Sequence, residues 1–431
     1  MPTRKFAAEI GESEKSNMPS TLTEWEGRLR VGMFTNVYLP STNGVVVSVE
    51  TFRKALTKLG HDVFIFGPDS GDIEDRAPFV FRYPSIELPM QKYPLTLPVS
   101  PFVDHVIKNV KLQVLHANHP ALLGRAAERK SQELNLPLVF TYHTKYTDYS
   151  HYAEPFSQEN VKEFIDHWLA SFMTSCHHVV VPSESIKDML YEKYDITGEV
   201  TVVPTGIDLG KFSAEFREPS RRKLNCDPEV KYLVSVGRLA KEKSFDVLLK
   251  AFARLDREDT RLVIIGSGDE MKNLQALADT LGVAERVIFT GLIDSEEVPR
   301  YLAAADLFVF ASVTETQGLV TLEAMASSLP VVAVDASGTR EAVHESCSIL
   351  TEHDADALAT GIEEMLNRED LATLREAARK RAEGFGLIPQ GKAMVEVYYK
   401  AIEANAEDRR VLLPSPDIST RWSEFLQSFR L

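Results

Sequence analysis

A chain of 431 residues, 44% apolar and 26% charged, is long enough for two domains, each with its own core. It carries no apolar run of about 18 residues, so no membrane-spanning helix is expected, and its polar N-terminus lacks the apolar stretch of a secretory leader. A formal net charge of −15 argues against general nucleic-acid binding, and three scattered cysteines, Cys176, Cys226 and Cys347, fit reduced thiols in a cytoplasmic protein.

In chain order, residues 1–28 read as a loose extension. Compact apolar runs follow: RLRVGMFTN from Arg28, HDVFIFG from His61, LQVLHAN from Leu112, LPLVFTYHT from Leu136, HHVVVPS from His177 and VTVVPTG from Val200. Runs of this kind, each ending in Gly, Asn, Ser or Thr, fit strands buried on both faces of a parallel sheet. Helical patterns such as VSVETFRKALTKLG and PALLGRAAERKSQEL lie between them.

The pattern restarts near Lys231. KYLVSVGRL, RLVIIGSG, RVIFTG, ADLFVFAS, LPVVAVD and CSILTE form a second strand series, separated by helical stretches such as SFDVLLKAFARL. Strict alternation of β and α segments predicts two doubly wound, Rossmann-like α/β domains, over 29–208 and 209–389. A helix over 390–404 and a tail over 405–431 complete the chain. In the tail, Trp422, Phe425, Leu426 and Phe429 recur at helical spacing, which suits packing on the protein or, alternatively, contact with a membrane.

The richest segment for chemistry is TETQGLVTLEAMASSLPVVAVD, from Thr314. Glu315 and Glu323 stand eight positions apart, with a helix expected to begin near Gly318. Glu315 then falls in the strand–helix loop and Glu323 in the second helical turn, facing the crevice at the carboxyl ends of the strands, where α/β folds bind ligands. A helix start offers free N–H groups to an anion, and a glycine there lets the ligand approach. Glu323 suits a ribose diol; the alternative is a pair of solvated glutamates beside an ordinary helix start.

Arg238 and Lys243 follow another strand end, where a guanidinium and an ammonium suit a diphosphate. The next strand ends in Gly266-Ser267-Gly268-Asp269, like a shortened Rossmann turn. In the first half, Asn43-Gly44 precedes a helix. His143 closes a strand within FTYHTKYTDYSHY, where Tyr142, His143, Tyr146 and Tyr149 make an aromatic, hydroxyl-rich segment suited to a polyol; a structural histidine is the alternative. Asp354-Ala355-Asp356 has the form of a metal-binding DxD but stands where a helix cap is expected. No metal ligand set is predicted.

These segments occur together in an order that resembles the retaining glycosyltransferases of family 4, whose fold is the GT-B pair of facing Rossmann-like domains. The resemblance spans roughly Leu29 to Ala404. It rests on the Glu315-to-Glu323 segment with EAMASSLPVV, on SVGRLAKEKSFDVLLKAF, IIGSGDE, VIFTGLI and VVPTGIDLGKF, and on GVVVSVETFRKALTKLGHDVFIFGP. It implies that Arg238 and Lys243 hold a donor diphosphate and that Glu323 binds the ribose. It also implies that Gln317, Gly318, Leu319 and Val320 line the phosphate and sugar end, while Glu315 touches sugar hydroxyls. Gly291, Leu292 and Ile293 would border the base, Gly44 would approach the diphosphate, and His143 would serve the active site. The helix over 390–404 would cross back to the first domain.

The family commonly has glycine where this chain has Ser328, which bears on the helix end more than on chemistry. Within the family, GMFTNVYLPSTNGVVVSVE and TYHTKYTDYSHY resemble bacterial diacylglycerol glucosyltransferases. Together with Met90, Tyr93, Leu95, Leu97, Phe102 and Val106 among Lys92, Lys108 and Lys111, this points to a lipid acceptor and a peripheral membrane location on the cytoplasmic side; the alternative for that stretch is a Pro-rich loop followed by a core-packed helix. The expected donor is a UDP-sugar carrying a hexose, glucose first, with no cofactor and no essential divalent metal. A soluble sugar or sugar phosphate as acceptor, a GT-B epimerase and a non-enzymatic nucleotide-sugar sensor are the other readings.

Overall fold

The apolar runs pair as parallel strands in two sheets. The computed structural model describes residues 27–412, except 42, 70, 72–74, 76, 87–94 and 146–157. The extension before residue 27, the terminal stripe from Trp422 to Phe429, and Tyr146, Tyr149, Met90, Lys92 and Tyr93 therefore lie outside the described residues.

The first sheet contains β1 (Arg30–Phe34), β2 (Asp62–Pro68), β3 (Val80–Tyr83), β6 (Val114–Ala117), β7 (Leu138–Thr141), β8 (His178–Val181) and β9 (Val200–Val202), in the order β3-β2-β1-β6-β7-β8-β9. Two short strands, β4 (Ser85–Ile86) and β5 (Leu95–Thr96), pair antiparallel beside it. Sequence reasoning misses β3, β4 and β5, because these short strands are only partly buried and so lack the continuous apolar run that marks the others.

The second sheet contains β10 (Lys231–Val236), β11 (Thr260–Ile265), β12 (Val287–Gly291), β13 (Leu307–Phe310), β14 (Val331–Val334) and β15 (Ser348–Thr351), ordered β12-β11-β10-β13-β14-β15. In each sheet the strand order reverses beside the first strand, at β1/β6 and at β10/β13. Those reversals open the crevices in which α/β folds place ligands.

Both faces of each sheet are covered, which explains the near-continuous apolar runs. In β6, Leu115 and Ala117 enter one core while Val114 enters the other. That second core is closed by the helix Leu387–Ala406, whose Met394, Val397, Tyr398 and Ala401 pack with Val31, Met33, Phe52 and Leu56 of the first domain. The helix thus leaves the second domain and covers the first. The outward and returning connections run side by side, with the Ile207 N–H donating to Phe385 O (2.8 Å) and the Leu387 N–H to Ile207 O (3.0 Å). Past the helix, the Val411 N–H donates to Cys176 O at 2.9 Å, tying residues 410–412 to the first domain.

Candidate active site between the domains

The loop after β13 carries Glu315 and turns into the helix Leu319–Ala326 through Gly318, the N-cap, with φ 74° and ψ 48°. Glycine adopts this left-handed conformation without the steric cost that a Cβ imposes. Among the described residues no side chain caps the helix. Among the described residues the N–H groups of Leu319 and Val320 have no protein acceptor, so they point their positive end at the crevice. The buried hydroxyls of Thr321 and Thr339 lie beside this turn, also without a partner among the described residues.

Three loops are fastened around that helix start. Lys243, in the loop after β10, forms an ion pair with Glu315, and the Ser312 hydroxyl donates to the same carboxylate oxygen at 3.0 Å. Arg238, four-tenths exposed, pairs with Glu242 of its own loop. The Leu239 N–H donates to Ser267 O (3.0 Å) and the Gly266 N–H to Gly291 O (3.1 Å), which joins the ends of β10, β11 and β12. A Cβ on Gly266 would fall 2.0 Å from Gly237 O, and one on Gly268 would fall 2.2 Å from Leu239 O. These two glycines therefore serve loop-to-loop contact. Leu292, 79% exposed, projects beyond Gly291, while Ile293 packs against the core.

Glu323 sits half-buried in the second helical turn. Burial pushes its carboxyl up to about 7, against the opposing pull of the Lys211 ammonium. A carboxylate held in this way gains on meeting hydroxyl donors.

The first domain supplies the facing wall. His143 follows β7 by two residues, and its Nε2 lies 2.9 Å from Asn118 Oδ1. Burial first, then the nearby His119 and His116, hold the His143 imidazole well below the usual histidine range, so it is neutral. The Thr316 hydroxyl donates to His143 O at 3.1 Å and the Ser183 hydroxyl to Thr316 O at 2.8 Å, so the Glu315 loop rests directly on the end of β7. Gln317 uses its side-chain amide on Thr205, accepting from its N–H (2.8 Å) and donating to its carbonyl (2.9 Å), which ties this loop to the first domain. The Glu341 carboxylate accepts from the N–H groups of Glu184 and Ser185, at 2.6 and 2.9 Å, at the start of the helix Glu184–Lys193.

Several expectations change in detail. Gly44 is the first residue of the helix Gly44–Lys58, whose N-cap is Asn43, with its side-chain oxygen accepting from the Val46 N–H at 2.9 Å. A Cβ on Gly44 would meet nothing within 4 Å, so the approach there is open. Tyr142 leaves the acceptor set: it is 3% exposed and its ring meets Phe140 edge-on, because alternation past the end of β7 turns it into the core. Asp354 caps the helix Ala355–Leu366 through the N–H groups of Asp356 (2.8 Å) and Ala357 (3.1 Å), as the capping alternative predicts. Ser328 occupies the left-handed region, φ 61°, where the family commonly has glycine.

Sequence reasoning misses Asn118, Thr316 and Gly338. Asn118 was within reach, because it too follows a strand end at a point where the strand order reverses. Gly338 shows its purpose only in three dimensions: a Cβ there would lie 2.5 Å from Glu315 O. Among the described residues no three His, Cys, Asp or Glu side chains gather as metal ligands. No described helix is long and apolar enough to cross a membrane. A surface depression lined by Asp256, Arg257, Glu258, Asp259, Glu363 and Asn367 lies at the amino-terminal edge of the second sheet, the end opposite the crevice.

Comparison with known proteins agrees with this geometry. Residues 42–211 match the model of Glycosyltransferase Family 4, and residues 216–384 match that of Glycosyl transferases group 1. The chain is 33% identical over 325 residues to the alpha-monoglucosyldiacylglycerol synthase of Streptococcus pneumoniae, covering 71% of each. Among solved structures, it resembles sucrose-phosphate synthase from Thermosynechococcus elongatus, with a TM-score of 0.73 and 24% identity over 88% of this chain and 100% of that one. It also resembles Anabaena HepE in complex with UDP-glucose, with a TM-score of 0.68 and 19% identity over 85% and 99%. These likenesses show the GT-B fold.

Proposed function

The chain belongs to the glycosyltransferases with a Family 4 first half and a group 1 second half, and from that premise we propose that it transfers a hexose, glucose first, from a UDP-sugar to a lipid hydroxyl at a membrane surface. The acceptor is diacylglycerol or a glycosylated diacylglycerol, and the anomeric configuration is retained. The lipid assignment is supported by the relative named for alpha-monoglucosyldiacylglycerol. Because common UDP-hexoses are α-linked, an α-glycoside as product is the outcome of retention.

The observation that carries the reading is the convergence of Lys243, Glu315, the uncapped start at Gly318 and His143 on one crevice. Negative charge grows on the diphosphate as the anomeric bond breaks. Arg238, Lys243 and the free N–H groups of Leu319 and Val320 offset that charge, which electrostatically stabilises the transition state. Glu323 accepts from the ribose diol, Leu292 borders the base, and Glu315 faces the sugar hydroxyls. The contacts between His143, Thr316 and Ser183 hold the two walls together and limit water at the reacting carbon.

An apolar surface on the first domain supports the membrane location. Val99 is 67% and Phe102 65% exposed, with Ile86, Leu95 and Leu97 also uncovered nearby in sequence. Lys108 pairs with Glu133, and the whole chain is acidic, so binding to anionic lipid is expected to be weak and salt-sensitive. The test supplies UDP-glucose with diacylglycerol in anionic liposomes and, separately, with a panel of soluble sugars and sugar phosphates. A glycolipid product supports the reading. Transfer only to a soluble acceptor, with no liposome binding at low salt, overturns the lipid part and leaves a glycosyltransferase.

A further inference from the structure

We propose that Asn118 is a positioning residue that fixes the orientation and tautomer of His143, so that His143 presents Nδ1 to the donor sugar as a hydrogen-bond acceptor. The inference rests on the reading that His143 faces the donor.

The geometry determines which way the Asn118 amide points. Its main-chain N–H donates to Phe34 O at 2.8 Å, and its side-chain nitrogen donates to the same oxygen at 3.4 Å. Turning the amide over would set its oxygen against the Phe34 carbonyl, acceptor against acceptor. The amide oxygen therefore faces His143, and an oxygen of this kind only accepts. His143 Nε2, 2.9 Å away, must carry the proton. In a neutral imidazole the other nitrogen is then an acceptor, and among the described residues Nδ1 has no protein partner.

The arrangement is rigid for reasons that belong to the fold. Asn118 follows β6 and is 3% exposed, and it stands at the carboxyl end of the paired β1 and β6, where the strand order reverses. His143 is held from two sides: its ring by Asn118 of the first domain, and its carbonyl by Thr316 of the second. The titratable groups whose charge reaches the ring among the described residues are His119 and His116. Both are themselves neutral: His119 accepts from the Asn36 N–H at 3.2 Å, and His116 is buried between Tyr398 and Thr141. Among the described residues no carboxylate is hydrogen-bonded to the ring, so none there favours imidazolium, which would turn Nδ1 from acceptor to donor.

The experiment compares Asn118→Leu, Asn118→Asp and His143→Ala. The assay uses UDP-glucose with diacylglycerol liposomes, and in parallel ¹⁵N NMR follows the protein labelled at histidine. In the wild type, His143 shows the Nε2–H neutral tautomer at pH values where an ordinary histidine is already protonated. Asn118→Leu lowers kcat about 10- to 100-fold with the donor KM little changed, and its His143 signal shows mixed tautomers. Asn118→Asp keeps the acceptor but adds a charge, so His143 takes up a proton at higher pH. Its activity falls as pH drops through that new value and recovers above it, a profile the wild type does not follow. In a His143→Ala background, Asn118→Leu has no further effect. A wild-type Nδ1–H tautomer, or full activity in Asn118→Leu when His143→Ala is impaired, overturns the proposal. Full activity in His143→Ala overturns instead the reading of the site on which it rests, while the tautomer measurement still decides what Asn118 does to the ring.

Discussion

The ammonium of Lys243 is bound to the carboxylate of Glu315, 72 residues further along the chain. A loop lysine held in this way is placed at the crevice instead of sampling solvent. Replacing Lys243 by Ala, or Arg238 by Ala, is expected to lower kcat/KM by about 2–4 kcal/mol in transition-state stabilisation, roughly 30- to 1,000-fold, with the circular dichroism spectrum unchanged. Turnover near the wild-type level in both variants would remove the diphosphate clamp.

Glu323 is expected to couple donor binding to proton release. With its carboxyl held at about 7 by burial, it is about half protonated at pH 7 in the free protein. Two hydroxyls donating to it favour the ionised form, so binding UDP-glucose at pH 7 should release about half a proton. Affinity should rise between pH 6 and 8, and Glu323→Gln should abolish both effects. Calorimetry in two buffers of different ionisation enthalpy measures the release. None at pH 7 would show that the diol lies elsewhere.

Acid stability should be set by buried neutral histidines. His116 is held at about 3, and His119, His177 and His178 at about 4, each chiefly by burial. Their folded values lie below the unfolded one of about 6.5, so below that pH the unfolded chain binds more protons. Stability is full above about pH 6.5 and falls as pH drops toward 4, each histidine contributing up to about 1.4 kcal/mol per pH unit. Glu323 opposes this with a single proton. Denaturant titrations at pH 7.5, 6.0 and 5.0 should give a steadily lower midpoint; a flat series would contradict it.

Two serines stand where glycine fits better. Ser244 has φ 51° and Ser328 φ 61°, both in the left-handed region. Ser328→Gly and Ser244→Gly should each raise stability by about 0.5–1 kcal/mol, the relief of Cβ strain exceeding the added chain entropy. Thermal denaturation of the single variants checks this, and a lower midpoint in both would mean that the serine hydroxyls hold the turns.

At Gly338 the opposite substitution should harm the site. The Cβ of Gly338→Ala would lie 2.5 Å from Glu315 O and 2.7 Å from Gln317 N, both main-chain atoms that cannot swing aside. The variant should lose about 1–3 kcal/mol of stability and bind UDP-glucose more weakly, because the turn into Gly318 is displaced. Wild-type donor affinity by calorimetry would show that this loop tolerates the shift.

The amino-acid sequence by itself determined the two doubly wound domains and most strand positions, because a buried parallel strand announces itself as a short continuous apolar run. It also placed Arg238, Lys243, Glu315 and His143 in loops past strand ends, and Gly318 and Glu323 at the start of the helix after β13, since the fold opens crevices there. Side-chain partnerships were decided only by the tertiary structure. Thr316 meets the His143 carbonyl across 173 residues, and Asn118 meets its ring across 25. Which atoms meet depends on how each loop leaves its strand and how the second domain docks on the first. The same geometry turned Tyr142 into the core and gave Gly266 and Gly268 to loop contact, because one residue's shift past a strand end reverses the direction of a side chain. Periodicity stops at the strand end, and the chemistry begins just beyond it.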